Sequence, residues 1–599
     1  LAGLSRDFLL KGGAGLPMPD ISQTILRIVL VSGAALAIGL VAAFGAVFFV
    51  DIITYLNHFL LPEVWMSDGR IDWLTVLLII SVPVSGGLVA GQLRRLVDGG
   101  RAHGPAEVIE LAQLGKGDIP LRNGVFTALS NLVWLGAGAS AGQYGALVHL
   151  GATIGGALGR VDKWLREDFR LPGPVALGCG VAAAIATAFS APIAGVVFAH
   201  EVVLRHYSLR AFAPVTIAAT VGYLVSFWLF GRPPLFAVAV EAGAHPLAYS
   251  GFVAIGLLGG IVSLLYMRAL LQAGKLADKT PLPDSLKPGI AGLVLGLIAL
   301  GVPQVTGLGV EAMQSVIGSA DFPLAELLLI LIAKLLATAV CVGYARIGGA
   351  FAPALFIGTF FGAIIGGIAT SALGGDLAEP AFYAICGMAA VTSPVVGAPL
   401  TTILIVFELT RNYELTTAVM VSVVLANLVA GRFFGRSFFD VQLLQRGIDL
   451  SQGREKVLLQ QHMLREYLQS DFVAVAPDMT IAQARQLMGA RNVGEAYVIA
   501  PDNRFLGVLQ SSHLLALSDR ADAMEETVSA HLAPPQLVFS LQTTIWDAME
   551  GMADFVGETI PVLSDDDDEQ LAGIVTEAMI IHASVEISRR LRQEENATG

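Results

Sequence analysis

Charge is scarce in this 599-residue chain: charged residues make up 14%, against 55% hydrophobic, and mean hydropathy is +0.69. That scarcity excludes a soluble protein of ordinary composition along its whole length. Cysteine is scarcer, with only Cys179, Cys341 and Cys386, far apart in apolar sequence. Their spacing excludes a cysteine metal site and reads each thiol as a small buried hydrophobe. No basic excess exists either: the net charge is -13, inflated by the acidic tail, which is only a weak argument against a nucleic-acid partner. No nucleophile, base and metal constellation stands out, so neither an enzyme, a metal site nor a cofactor is expected. No cleavable signal is expected either, because the first long apolar stretch lacks a small-residue exit site.

What remains is sharply divided. Residues 1–439 form a succession of apolar stretches with two related halves, about 25–231 and 247–434. Ile25–Val50, Trp73–Leu93, Phe252–Leu271 and Leu327–Val342 are long enough to cross hydrocarbon as helices. Ala146–Leu158 and Ala398–Phe407 are too short or are interrupted by Gly and Pro. Broken helices of that kind are tolerated at membrane depth only where they line a polar cavity. A linker over 440–460 leads to a charged region, 461–599, that holds the acidic run Asp565–Glu569, read as a solvated loop.

The membrane part repeats itself. Gly142-Gln143-Tyr144-Gly145-Ala146, with Gly151 and Gly155 following, matches Gly349-Ala350-Phe351-Ala352-Pro353, with Gly358 and Gly362 following, at an offset of 207. The same offset carries Ala191-Pro192 and Glu201 onto Ala398-Pro399 and Glu408. Gly-interrupted segments at matching positions of two halves point to a transport site. A Gly-rich approach to an apolar helix leaves backbone N–H groups free at the helix N-terminus, where the dipole adds positive charge without a buried cation. Such a site suits an anion and binds weakly enough to release it. Taken singly, these glycines also fit close helix packing.

At these residues the chain resembles the CLC family of chloride channels and transporters. That family's GxFxP signature stands as Gly349-Ala350-Phe351-Ala352-Pro353, and its GREGP or GKEGP signature as Gly142-Gln143-Tyr144-Gly145-Ala146. Its GSGIP or GHGVP signature is degraded to Ala102-His103-Gly104-Pro105-Ala106, just before Glu107. The resemblance implies an all-α polytopic membrane protein with an internal inverted repeat, a homodimer in the lipid bilayer with one anion pathway per subunit. Chloride or another small monovalent anion would be held by the N–H groups of Ala350 and Phe351, with His103 and Phe439 on the inner side. His103 equally fits a space-filling loop residue.

Departures from the family pattern bear on mechanism. The family's gating glutamate is replaced by Tyr144, whose phenol titrates near 10 when unperturbed and cannot shuttle protons at neutrality. Its inner proton-relay glutamate is replaced by Val202, and its inner tyrosine ligand by Phe439. Glu201 and Glu408 are expected to hydrogen-bond nearby backbone, and Glu107 to cap or start a helix.

The tail resembles a pair of CBS domains, about 463–518 and 528–583, an α/β unit on the cytoplasmic side. Thr480-Ile481 and Thr544-Ile545 open helices; Phe505–Leu509 and Leu571–Val575 read as strands. Nucleotide-binding members carry Gly-x-x-Ser/Thr-x-x-Asp, but here the series read Gly507, Gln510, His513 and Gly573, Thr576, Met579. Without the ribose carboxylate, a structural and dimer-stabilising tail is expected, not an adenine-nucleotide sensor.

Three readings stay open: a passive or uncoupled chloride channel, a chloride/proton antiporter using Glu107 or Glu201, and a cation carrier with a regulatory tail. The last would need carboxylates at the tips of the broken helices, where the repeat motifs carry none.

Overall fold

Apolar runs bounded by Gly and Pro set the helix ends. The computed structural model describes residues 21–61, 73–100, 103–115, 119–160, 171–231, 245–318, 322–373, 379–517, 521–564 and 570–596. Ala102 and the acidic run Asp565–Glu569 lie outside the described residues. Two compact units result, Leu1–Ile448 and Asp449–Gly599.

In chain order the first unit begins with α1 (Ile21–Leu60), α2 (Trp73–Arg94), α3 (Pro105–Gln113), α4 (Leu121–Gly136), α5 (Tyr144–Gly159), α6 (Gly173–Phe189), α7 (Pro192–Phe198) and α8 (Leu209–Leu224). It continues with α9 (Ala248–Lys279), α10 (Lys287–Ala299), α11 (Val310–Gly318), α12 (Leu324–Thr338), α13 (Phe351–Leu373), α14 (Pro380–Val396), α15 (Pro399–Thr410), α16 (Tyr413–Phe433) and α17 (Phe438–Gln445). Seven helices among the described residues are long and apolar enough to cross a membrane. Outward-facing Leu, Ile, Val and Phe are common on them, as lipid contact permits. The chain is an integral membrane protein.

The repeat is structural, not merely textual. The helix starts Tyr144, Gly173 and Pro192 recur at Phe351, Pro380 and Pro399. Between α6 and α7 the chain turns through a left-handed residue, Ser190 (φ 54°), and between α14 and α15 through Gly397 (φ 74°). Pro at the first turn of α7 and α15 costs no hydrogen bond there. Glycines let α5 and α6 touch backbone to backbone: a Cβ on Gly180 would lie 1.9 Å from the Gly151 carbonyl oxygen. The matching contact between α13 and α14 puts a Cβ on Gly387 at 2.4 Å from the Gly358 oxygen.

The second unit contains α18 (Arg454–Gln461), β1 (Ala474–Val475), α19 (Ile481–Arg491), β2 (Glu495–Ile499), β3 (Phe505–Gln510), α20 (Ser511–Leu517), β4 (Phe539–Ser540), α21 (Ile545–Gly551), β5 (Ile560–Leu563), β6 (Leu571–Val575) and α22 (Glu577–Asn596). It holds two three-stranded sheets, β1-β2-β3 and β4-β5-β6, each with one parallel and one antiparallel pairing. Thr480 caps α19 in a reciprocal pair with Gln483, and Thr544 caps α21. Each sheet covers its own apolar core, around Ile481, Val498 and Leu509 in one and Ile545, Val562 and Val575 in the other.

Candidate functional site

The two Gly motifs meet. Gly142 N–H donates to the Gly349 carbonyl at 2.8 Å, and Gly349 N–H donates to the Gly142 carbonyl at 2.9 Å. Only glycine fits there, because a Cβ on Gly142 would stand 2.9 Å from the Gly349 oxygen and 3.0 Å from the Ala352 nitrogen. This bridge sets the starts of α5 and α13 side by side, although they lie far apart in the chain. The first N–H groups of each helix have no intrahelical acceptor, so two positive helix ends converge on one region. The Tyr266 hydroxyl donates to the Ala350 carbonyl at 2.9 Å and holds that end of α13.

Against this junction lies a cavity of about 20 Å³, room for a water-sized body, walled by Tyr144, Gly145, Gly349, Ala350, Phe351 and Phe439 among others. Residues at the starts of both half-helices therefore share one wall with Phe439 of α17. His103, Gly104, Gly142, Gln143 and Ala352 are not on that wall, although Pro105 is. Tyr144 is 3% exposed, and its ring stacks on Phe189 with centroids 4.1 Å apart. It meets the edge of Phe351 at 5.3 Å. The phenol thus forms part of a three-ring cluster over the cavity, completed by Phe189 and Phe351 at 5.6 Å.

Glu408, Glu201 and Glu107 are already engaged. Glu408 accepts from the N–H groups of Ile193 and Ala194 at 2.9 and 2.7 Å, capping α7. Glu201 accepts from Leu400 and Thr401 N–H at 3.0 and 2.8 Å, and from the Thr401 hydroxyl at 2.6 Å, capping α15. Each half caps the Ala-Pro helix of the other. Val202 is 3% exposed and apolar. Glu107 stands in the first turn of α3, but the N-cap is Gly104 and no side chain caps that helix. Its carboxylate instead meets His103 Nδ1 and, at 3.1 Å, His149 Nε2 of α5.

Phe189, His149 and Lys334 lie outside the sequence motifs. Phe189 and His149 carry no local signal, since their importance comes from what the fold places beside them. Lys334 had one: a lysine within an apolar run is a functional flag. It is fully buried on α12, donates to the carbonyls of Val305 and Gly307 at 2.9 and 2.8 Å, and lies 4.8 Å from the Phe356 ring. Among the described residues no carboxylate pairs with it, and its recorded partners are those two carbonyls and the ring.

In the tail, two of the quoted positions make hydrogen bonds within the protein. Gln510 donates to Glu495 at 3.2 Å, and the Thr576 hydroxyl accepts from Met579 N–H at 3.2 Å at the start of α22.

Comparison with known proteins agrees with this architecture. The model of the voltage gated chloride channel family matches residues 86–431, and the CBS domain model matches 464–519 and 529–586. A voltage-gated ClC-type chloride channel, ClcB, of Citrobacter koseri is 28% identical over 352 residues, 58% of this chain and 83% of the relative. An H(+)/Cl(-) exchange transporter, ClcA, of Vibrio vulnificus is 29% identical over 333 residues, 55% of this chain and 70% of the relative. The crystal structure of a eukaryotic CLC transporter matches the fold with a TM-score of 0.59 at 18% identity, covering 92% of this chain and 98% of its own. With the family model spanning more than half of its length, the chain belongs to the voltage gated chloride channel (CLC) family and carries a C-terminal CBS pair.

Proposed function

We propose that the protein conducts chloride passively, as an uncoupled CLC-type channel. The observation that carries this is the Tyr144 ring, packed on Phe189 and Phe351 beside the cavity, at the position where the family resemblance puts a proton-accepting glutamate. A phenol there is a steric element and not a titrating gate. Val202 removes the second proton-carrying position, and Glu201 is committed to the N-terminus of α15. Homodimeric assembly, one pathway per subunit and a cytoplasmic tail belong to the same proposal and rest on the resemblance. So does a structural role for the CBS pair.

A second reading, chloride/proton antiport, has one observation in its favour: Glu107 is flanked by two imidazoles near the cavity. Reversal potentials of the reconstituted protein under crossed chloride and proton gradients separate the two. The channel reading expects reversal to follow chloride alone; a shift with the proton gradient at fixed stoichiometry rejects it in favour of the antiporter.

A further inference from the structure

The sequence offers no metal-ligand spacing, because the residues concerned come from separate elements. His103 lies two residues before α3 and Glu107 in its first turn, while His149 belongs to α5. The fold brings their donor atoms, His103 Nδ1, a Glu107 carboxylate oxygen and His149 Nε2, within 4.8 Å of one another. Both imidazoles address the same carboxylate oxygen. Their outer nitrogens, His103 Nε2 and His149 Nδ1, are buried and without a hydrogen-bond partner. The rings are therefore oriented by the shared centre, not by anchors on their far sides. Exposure falls from 14% at Glu107 and 12% at His103 to 1% at His149, so the cluster is recessed yet open on one side.

We propose that His103, Glu107 and His149 form a binding site for a first-row divalent cation, with Zn2+ as its best-matched occupant. Two imidazole nitrogens and one carboxylate oxygen suit Zn2+ and its neighbours and do not suit Mg2+ or Ca2+, which take oxygen ligands. Three protein ligands leave a fourth tetrahedral position for a water or an anion. Pro105, midway between His103 and Glu107 in sequence, and Val148, next to His149, wall the anion cavity. A bound dication converts a locally negative cluster into a positive one beside the pathway and ties α3 to α5. Chloride is a competent fourth ligand, so an occupied site both attracts and retains the transported anion.

The test is equilibrium Zn2+ binding to the full-length, tag-free protein in detergent, using a chromophoric chelator as competitor. His462 and His531 are replaced by alanine throughout, since each pairs with a carboxylate in the tail and can collect metal. The expected result is one Zn2+ per chain, unaffected by millimolar Mg2+, with at least about tenfold weaker binding in His103→Ala and His149→Ala. A His149→Cys variant guards against loss through misfolding: Cd2+ should give a thiolate-to-metal charge-transfer band that is missing without the substitution. Absence of Zn2+ binding, unchanged binding in both alanine variants, or no Cd2+ band overturns the proposal and leaves a metal-free hydrogen-bonded cluster. The readout is bound metal and not flux, so it stands or falls independently of the channel reading.

Discussion

Replacing Tyr144 with alanine measures what the ring does in the pathway. The ring rests on two aromatic partners, Phe189 at 4.1 Å and Phe351 at 5.3 Å. Aromatic pairs contribute about 0.5–1.5 kcal/mol each beyond the area they bury, so leaving both costs about 1–3 kcal/mol. If chloride passes only when the ring has moved, that cost lowers the conducting population by about 5- to 150-fold. Tyr144→Ala should therefore raise chloride efflux from proteoliposomes into that range. Phe189→Ala removes the stack alone and should give a smaller increase, about 2- to 12-fold. Tyr144→Phe keeps the ring and both contacts, and should leave efflux within about twofold if the hydroxyl does not hold the anion. Efflux is measured with a potassium shunt and normalised to folded protein by gel filtration. An unchanged rate in Tyr144→Ala refutes the obstruction and places the side chain outside the pathway. A loss in Tyr144→Phe without a gain in Tyr144→Ala makes the hydroxyl a ligand instead.

Tyr144→Glu should introduce a pH dependence of efflux between pH 4.5 and 7.5 that Tyr144→Ala and Tyr144→Phe do not, because it restores a titratable carboxyl beside the cavity. Glu201→Gln and Glu408→Gln should each lower thermal stability, since each disrupts charge-assisted caps worth about 1.5–3 kcal/mol per bond; a fall in only one variant shows the two caps to be inequivalent. Adenine nucleotide at millimolar concentration should give no saturable heat with the full-length protein, and a saturable titration would reject the structural reading of the tail. Burial raises the Tyr497 phenol, the donor to Thr559 at 2.5 Å, from 10 to about 12. Folding therefore favours the protonated form, so this stabilisation is complete below pH 10 and is lost as pH rises toward about 12. Tyr497→Phe should remove that component of the alkaline melting profile while lowering stability near neutrality by about 0.5–1.5 kcal/mol through the lost hydrogen bond.

The sequence alone determined the class, the repeat and the tail. Hydropathy is a local property, so apolar runs of spanning length mark membrane helices without reference to tertiary contacts. The offset that carries Gly142 onto Gly349 and Glu201 onto Glu408 required only comparison of the chain with itself. Helix starts at Thr480 and Thr544 were legible because a cap and its partner are sequence neighbours. What each repeated residue touches was decided by the fold. Glu201 was legible as a backbone acceptor, yet its acceptance from Leu400 and Thr401 exists only because the fold packs the two halves against each other. Glu107 fits a helix start in sequence, but His149 was brought to it from another helix, and the carboxylate serves the imidazoles and not a cap. Phe189 looks like any helix-terminal aromatic until the fold stacks its ring on Tyr144, which belongs to another helix. Spacing along a chain specifies contacts within a turn or a hairpin; contacts between half-helices depend on how close the backbones come, which the glycines at 142 and 349 set only once both are in place.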